Sequence, residues 1–160
     1  MVIRFGTDGW RGVIADDFTF ANLSICAQGT ANYLKETGQS SRGIVIGYDT
    51  RFGSESFAKT AARIFVANGI PTLLCDRVAS TPAISYNLVS HDAAAGCVIT
   101  ASHNPPEWNG FKYKPDYGGS ASSDIITELE KQISKVSVIH EDSKLPLDHA
   151  LSSGLLEYFN

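Results

Sequence analysis

Two short apolar runs, Gly43-Ile-Val-Ile-Gly47 and Gly96-Cys-Val-Ile-Thr100, and a strand-type segment from Ile70 to Cys75 alternate along this chain with segments whose apolar residues recur at helical spacing. A run that is apolar at every position leaves no face for water, so it reads as a strand covered on both sides, as in parallel sheets. The intervening segments supply the covers. Phe20, Leu23, Ala27, Ala31 and Leu34 line one face of a helix ending near Gly38. Phe57, Ala61, Ile64 and Phe65 line a second, with Ser54 as N-cap, Glu55 in the first turn and Gly69 at the C-terminal end. Thr81-Pro82 reads as a cap followed by proline at the first helical position, opening a short helix over Ala83 to Val89. The alternation predicts an α/β fold, a three-layer α/β/α sandwich on a mixed, mostly parallel sheet.

Gly110-Phe-Lys-Tyr-Lys114 follows its predecessor too closely for a helical crossover, which makes it the one antiparallel strand, half-exposed by its alternation. A last helix runs from Ser123 through Ile126, Leu129, Ile133 and Val136. At the start, Val2 to Phe5 is a β-type run, and Gly6-Thr-Asp-Gly-Trp-Arg-Gly12 is too irregular for helix or strand. A chain of 160 residues fits one domain, which should bury roughly 68–70% of its unfolded surface. We assign that domain to 1–136. Residues 137–160 mix Lys, Asp, His and Pro without periodicity and read as a linker or tail, with docking back onto the domain as the alternative.

A net charge of -4 gives no global basic field, which argues against nucleic acid or an anionic membrane as partner. Any anion site must be local. No apolar run reaches the ~18–20 residues of a spanning helix, and the N-terminus lacks a signal-peptide core. Cys26, Cys75 and Cys97 stand apart in apolar stretches without metal-ligand spacing and read as reduced core thiols. A cytoplasmic location is expected.

In open α/β sheets, ligands bind beyond the carboxyl ends of the strands, where helix N-termini and strand-to-helix loops collect. That rule brings Tyr48-Asp-Thr-Arg51, Ser80-Thr-Pro82 and Ala101-Ser-His-Asn-Pro-Pro106 to one rim, with Lys112, Lys114 and Arg11 nearby. Ser102 is the candidate reactive residue: a hydroxyl beside an imidazole, an amide and cations has what nucleophilic or phosphoryl-transfer chemistry needs. Each residue also has an ordinary reading. Ser102 and Asn104 form turns, His103 satisfies a carbonyl, Lys112 snorkels from a half-exposed strand, and Asp49 with Arg51 braces a turn as a local ion pair. The convergence on one rim is what these separate readings leave unexplained.

Phe5-Gly-Thr-Asp-Gly-Trp-Arg-Gly12 and Thr100-Ala-Ser-His-Asn-Pro-Pro-Glu-Trp-Asn-Gly-Phe-Lys112 resemble the two signatures in the first domain of the α-D-phosphohexomutases. Gly47-Tyr-Asp-Thr-Arg51 and Ser80-Thr-Pro82 fall in the family's order, so the resemblance covers Ile3 to Val136. It implies that Ser102 carries a phosphoryl group, gives it to a hexose phosphate (glucose or mannose 1- or 6-phosphate) and recovers one from the 1,6-bisphosphate. His103 and Lys112 are then the acid/base or charge-stabilising candidates. Arg11, Thr7 and Asn104 are the phosphate- and substrate-binding ones. Trp10 and Pro105-Pro-Glu-Trp-Asn-Gly-Phe-Lys112 look like the glucose/mannose enzymes rather than the glucosamine ones. The resemblance also implies magnesium bound through the Ser102 phosphate and an Asp-Gly-Asp loop of a second domain. No such loop occurs here, nor do the sugar-binding loops of domains II–IV, so little or no mutase activity is expected of these residues alone.

A stand-alone sugar-phosphate-binding module is the alternative. A serine hydrolase is disfavoured because G-x-S-x-G is absent and neighbours such as Ser102 and His103 seldom aim at each other as nucleophile and base. Nucleotide binding lacks both glycine-rich phosphate-loop patterns.

Overall fold

The computed structural model describes residues 3–6 and 8–160. Among them, six strands form one sheet in the order β1-β5-β4-β2-β3-β6. They are β1 (Trp10–Val13), β2 (Ile44–Tyr48), β3 (Thr72–Cys75), β4 (Ala95–Ile99), β5 (Trp108–Pro115) and β6 (Leu156–Phe159). The helices are α1 (Phe20–Glu36), α2 (Ser54–Ala67), α3 (Thr81–Ser90), α4 (Ser123–Ser134) and α5 (Leu147–Ser152). β5 runs antiparallel to both its neighbours, β1 and β4, while β2, β3, β4 and β6 pair in parallel. This is the expected mixed sheet with one antiparallel strand.

The apolar runs behave as their composition requires. Every residue of β2 and β4 is buried, and successive side chains serve opposite faces. Ile44 and Ile46 join the larger core under α1, α2 and α4, whereas Val45 and Val98 join Ile84 and Leu88 of α3 on the other face. The expected faces of α1 (Leu23, Ala27, Ala31, Leu34) and α2 (Phe57, Ala61, Ile64, Phe65) are all buried.

The irregular N-terminal reading is corrected. Ile3 to Phe5 belong to no regular element, and Val2 lies outside the described residues; the first strand instead comes from the glycine-rich segment, as β1. Glycine weakens a strand, yet here the partner demands it on the facing side. A Cβ on Gly110, opposite Arg11, would lie 2.6 Å from the Thr100 carbonyl and 2.8 Å from that of Trp10. β5 is buried rather than half-exposed: Lys112 and Lys114, paired with Val98 and Gly96 of β4 and facing Asp8, are only 6% and 7% exposed.

Two caps also differ from expectation. Gly53, at φ +73°, precedes α2, which frees the Ser54 hydroxyl to donate to Asp49 Oδ1 at 2.9 Å. Ser80, in extended conformation, is the residue before α3, and Thr81 is its first residue.

Residues 137–160 take the docked alternative rather than forming a linker. The Glu141 carboxylate meets Arg63 of α2 at 2.5 Å, Ala150 is fully buried, and β6 extends the sheet beside β3. The sequence shows no periodicity there because the segment makes a three-residue 3-10 turn, one short α-helix and a four-residue edge strand, each too short to establish a period.

Candidate active site

The loops after β2 and β4 meet where the parallel strands end. Asp49 N–H donates to the Ile99 carbonyl at 3.1 Å, which ties the loop after β2 to the end of β4. Asp49, Thr50, Arg51, Phe52, Ser102, Asn104 and Pro106 line an open cleft of ≈ 460 Å³ between them. Ser102 is exposed at its mouth. Its backbone sits at φ +56°, a left-handed conformation that is costly for a residue with a Cβ. Two hydrogen bonds turn the chain there. Ser102 N–H donates to Thr100 Oγ1 at 3.0 Å, and Asn104 N–H to the Ala101 carbonyl at 3.0 Å.

Arg51 organises this loop from beneath. Its Nη2 donates to the carbonyls of Ser102 (2.8 Å) and Asn104 (2.7 Å), and its Nη1 to those of Pro105 (2.8 Å) and Trp108 (3.0 Å). The expected ion pair with Asp49 is present, Nε to Oδ2 at 3.3 Å, but it is one of five contacts. Asp49 is itself fixed, because Oδ1 accepts from Arg51 N–H and from Ser54 Oγ. Buried Asn109 extends the brace by donating to Ser54 Oγ at 2.9 Å. Sequence reading placed Arg51 on the rim but missed this role, since nothing in a sequence says which backbone carbonyls a guanidinium will meet.

A second set of charges adjoins the loop. Arg11 Nη1 donates to Asn104 Oδ1 at 2.6 Å, and Arg11 Nη2 lies 4.0 Å from Asp8 Oδ2. The same carboxylate pairs with Lys112, and Lys114 stands 3.8 Å from its other oxygen. Three cations thus share one carboxylate, and the local excess of positive charge within an acidic chain is what an anion site requires.

Ser102 and Asn104 share the cleft, Arg11 reaches it through its bond to Asn104, and Lys112 is linked to Arg11 through Asp8. His103 is exposed and does not line the cleft. Ser80, Thr81 and Pro82 stay outside it, although their loop touches the rim through the Ala79 N–H to Tyr48 carbonyl bond. Thr7, expected to bind phosphate, lies outside the described residues. Cys26, Cys75 and Cys97 are buried and free, and burial pushes the Cys26 and Cys97 thiols well up.

The carboxylates at hand do not fit a magnesium site. Asp8 is committed to lysines and Asp49 to Arg51 and Ser54, and among the described residues no three His, Cys, Asp or Glu side chains gather to hold an ion. Nor is any helix among them long and apolar enough to cross a membrane.

Comparison with known proteins gives a consistent answer. The family model described as phosphoglucomutase/phosphomannomutase, alpha/beta/alpha domain I, matches residues 2–139. A phosphoglucomutase of Komagataeibacter xylinus is 36% identical over 80% of this chain and 24% of its own. A Schizosaccharomyces pombe protein provisionally named phosphoribomutase is 40% identical over 94% of this chain and 27% of its own. A solved Thermus thermophilus structure with a provisional phosphomannomutase assignment superposes with a TM-score of 0.79 at 37% identity, covering 83% of this chain and 30% of that one. The chain therefore spans about a quarter of the length of these curated relatives. With its sheet order, its serine loop and this match over most of its length, the chain belongs to the phosphoglucomutase/phosphomannomutase family, of which it holds the α/β/α domain I.

Proposed function

We propose that this chain is the phosphoryl-carrying wall of a sugar-phosphate mutase, with Ser102 Oγ as the carrier. The observation that carries the reading is the left-handed Ser102, exposed at the end of β4 on a loop bound from below by a guanidinium and flanked by Arg11. In the forward half-reaction the Ser102 Oγ–P bond breaks as the P–O bond to a sugar hydroxyl forms; that hydroxyl's proton passes to a base and Ser102 Oγ takes up a proton as it leaves. His103, exposed next to Ser102, is the candidate base. The resulting bisphosphate returns its other phosphoryl group to Ser102 Oγ, so the phosphate changes position on the sugar.

Arg11 and Lys112 contribute positive charge. A phosphoserine brings about −1.5 to −2 charges, which excess cations stabilise through charge-assisted hydrogen bonds. When such a group arrives, Lys112 can exchange Asp8 for a phosphoryl oxygen, because Lys114 and Arg11 remain to balance the carboxylate. Thr7 and Asn104 complete the phosphate-binding set, Asn104 by holding Arg11 in place. Magnesium belongs to the proposal only as an ion bound by the Ser102 phosphate together with carboxylates that these residues do not supply. No step here is routed through it.

The substrate class is a hexose phosphate, glucose or mannose, with a cytoplasmic setting. The name of the fission-yeast relative makes a pentose phosphate the second class to assay. The test is intact mass after incubation with glucose 1,6-bisphosphate and magnesium. The chain should gain one phosphoryl group over hours and the Ser102→Ala variant none; equal gain by both would remove Ser102 from the reaction.

A further inference from the structure

We infer that Arg51 is a positioning residue for phosphoryl transfer, holding Ser102 in its left-handed conformation without itself binding phosphate. The inference rests on the carrier reading of Ser102 and adds a residue to it. A guanidinium has five N–H donors in a fixed plane. Here all four Nη N–H groups are engaged, on the carbonyls of Ser102, Asn104, Pro105 and Trp108, and Nε faces the Asp49 carboxylate in an ion pair at 3.3 Å. Its side chain is 12% exposed. A phosphate oxygen could gain an Nη donor from Arg51 only by stripping one from the loop, and Nε only by displacing Asp49, so Arg51 acts on the loop rather than on the ligand.

The loop needs such a partner. In Asn104-Pro-Pro106 the peptide units after Asn104 and Pro105 carry carbonyls but no N–H, since each precedes a proline. Such a segment is rich in acceptors and poor in donors, so its backbone cannot order itself through its own N–H groups. Arg51 satisfies both proline-flanking carbonyls and, with the same fork, the Ser102 carbonyl. Across that trans peptide the His103 N–H points away from the guanidinium. One side chain thereby fixes the carbonyl of the strained residue and the two acceptor-only peptides beside it. Lysine, with three donors on a rotating ammonium, cannot reproduce a planar fork.

The test combines Arg51→Ala and Arg51→Lys with two readouts. In the first, carbon chemical shifts at Ser102 report its left-handed backbone. Arg51→Ala should lose that signature while signals from β2 and β4 stay in place, and added methylguanidinium should restore it. In the second, the rate of phosphoryl uptake by Ser102 from glucose 1,6-bisphosphate should fall at least ten-fold at saturating bisphosphate, with the half-saturating concentration unchanged within two-fold. Methylguanidinium should recover most of that rate. Arg51→Lys, which keeps the charge should Arg51→Ala fail to fold, should show the same loss of rate. A raised half-saturating concentration at an undiminished maximal rate would make Arg51 a ligand and overturn the inference, as would a slow variant that methylguanidinium cannot rescue. Uptake as fast in Arg51→Ala as in the unchanged chain would sink the Arg51 inference alone. No uptake by the unchanged chain would sink the carrier reading and with it the part given to Arg51.

Discussion

Replacing Ser102 by glycine and, separately, by alanine isolates the backbone strain at the site. Both changes delete the hydroxyl, and Ser102 is exposed, so neither opens a cavity. They differ in the Cβ at φ +56°. A left-handed conformation costs a residue bearing a Cβ about 1–2 kcal/mol and costs glycine almost nothing. Glycine gives back roughly 0.5–1 kcal/mol through the greater freedom of its unfolded chain. The difference leaves Ser102→Gly more stable than Ser102→Ala by about 1 kcal/mol, or about 2–4 °C in Tm for a domain of this size. Urea unfolding followed by circular dichroism, with both variants and the parent run side by side, measures it. Alanine should match the parent, since serine bears the same Cβ. An alanine variant as stable as the glycine one would refute the argument that the loop holds Ser102 against its backbone preference.

Asp8→Asn leaves the buried ammonium groups of Lys112 and Lys114 without their shared carboxylate. Asp8 is partly exposed, so the loss should be moderate, about 1–3 kcal/mol, read as a lower urea midpoint at pH 7; an unchanged midpoint would show that the lysines do not depend on it. Lys144 and Arg63 hold the Glu141 carboxyl below its usual range. Its folded value lies under its unfolded one, so its contribution is complete above the ordinary carboxylate range and fades as pH falls through the depressed value. Amide protection over 140–160, corrected for the intrinsic exchange rate at each pH, should accordingly fall on acidification before that of β2 and β4, and simultaneous loss everywhere would contradict this. Finally, these residues alone should show little or no turnover of glucose 1-phosphate. Two charges 4 Å apart interact by about 1 kcal/mol in water but about 4 at an effective dielectric near 20, roughly two decades of rate per contact. An open cleft cannot gather that, and turnover at enzyme-like rates by the purified chain would falsify the argument.

The fold was legible wherever burial dictates pattern. Strands apolar at every position and helices with one apolar stripe declared themselves because each must exclude water on a known set of faces, and the rim followed from the order of the elements. The misses share a different cause. β1 is a four-residue edge strand written in a glycine-rich segment, and it forms because β5 presents Gly110 for close approach. Lys112 and Lys114 looked half-exposed because alternation along β5 does not show the Asp8 carboxylate that both meet. The docked tail was similarly hidden, since its hold depends on Arg63, Glu141 and β3, distant in sequence. At the site, the order of the elements placed Ser102 and Asn104 on one rim with Arg11 nearby, and the structure bonds Arg11 to Asn104. The fork of Arg51 was invisible because its partners are carbonyls, which every residue has.

The most direct test of the central claim is to locate the phosphoryl group. After incubation with glucose 1,6-bisphosphate and magnesium, proteolysis and tandem mass spectrometry of the chain should find phosphate on Ser102 and on no other hydroxyl, and subsequent glucose 1-phosphate should remove it. Phosphate on another residue, or a Ser102 that stays unmodified throughout, would contradict the account.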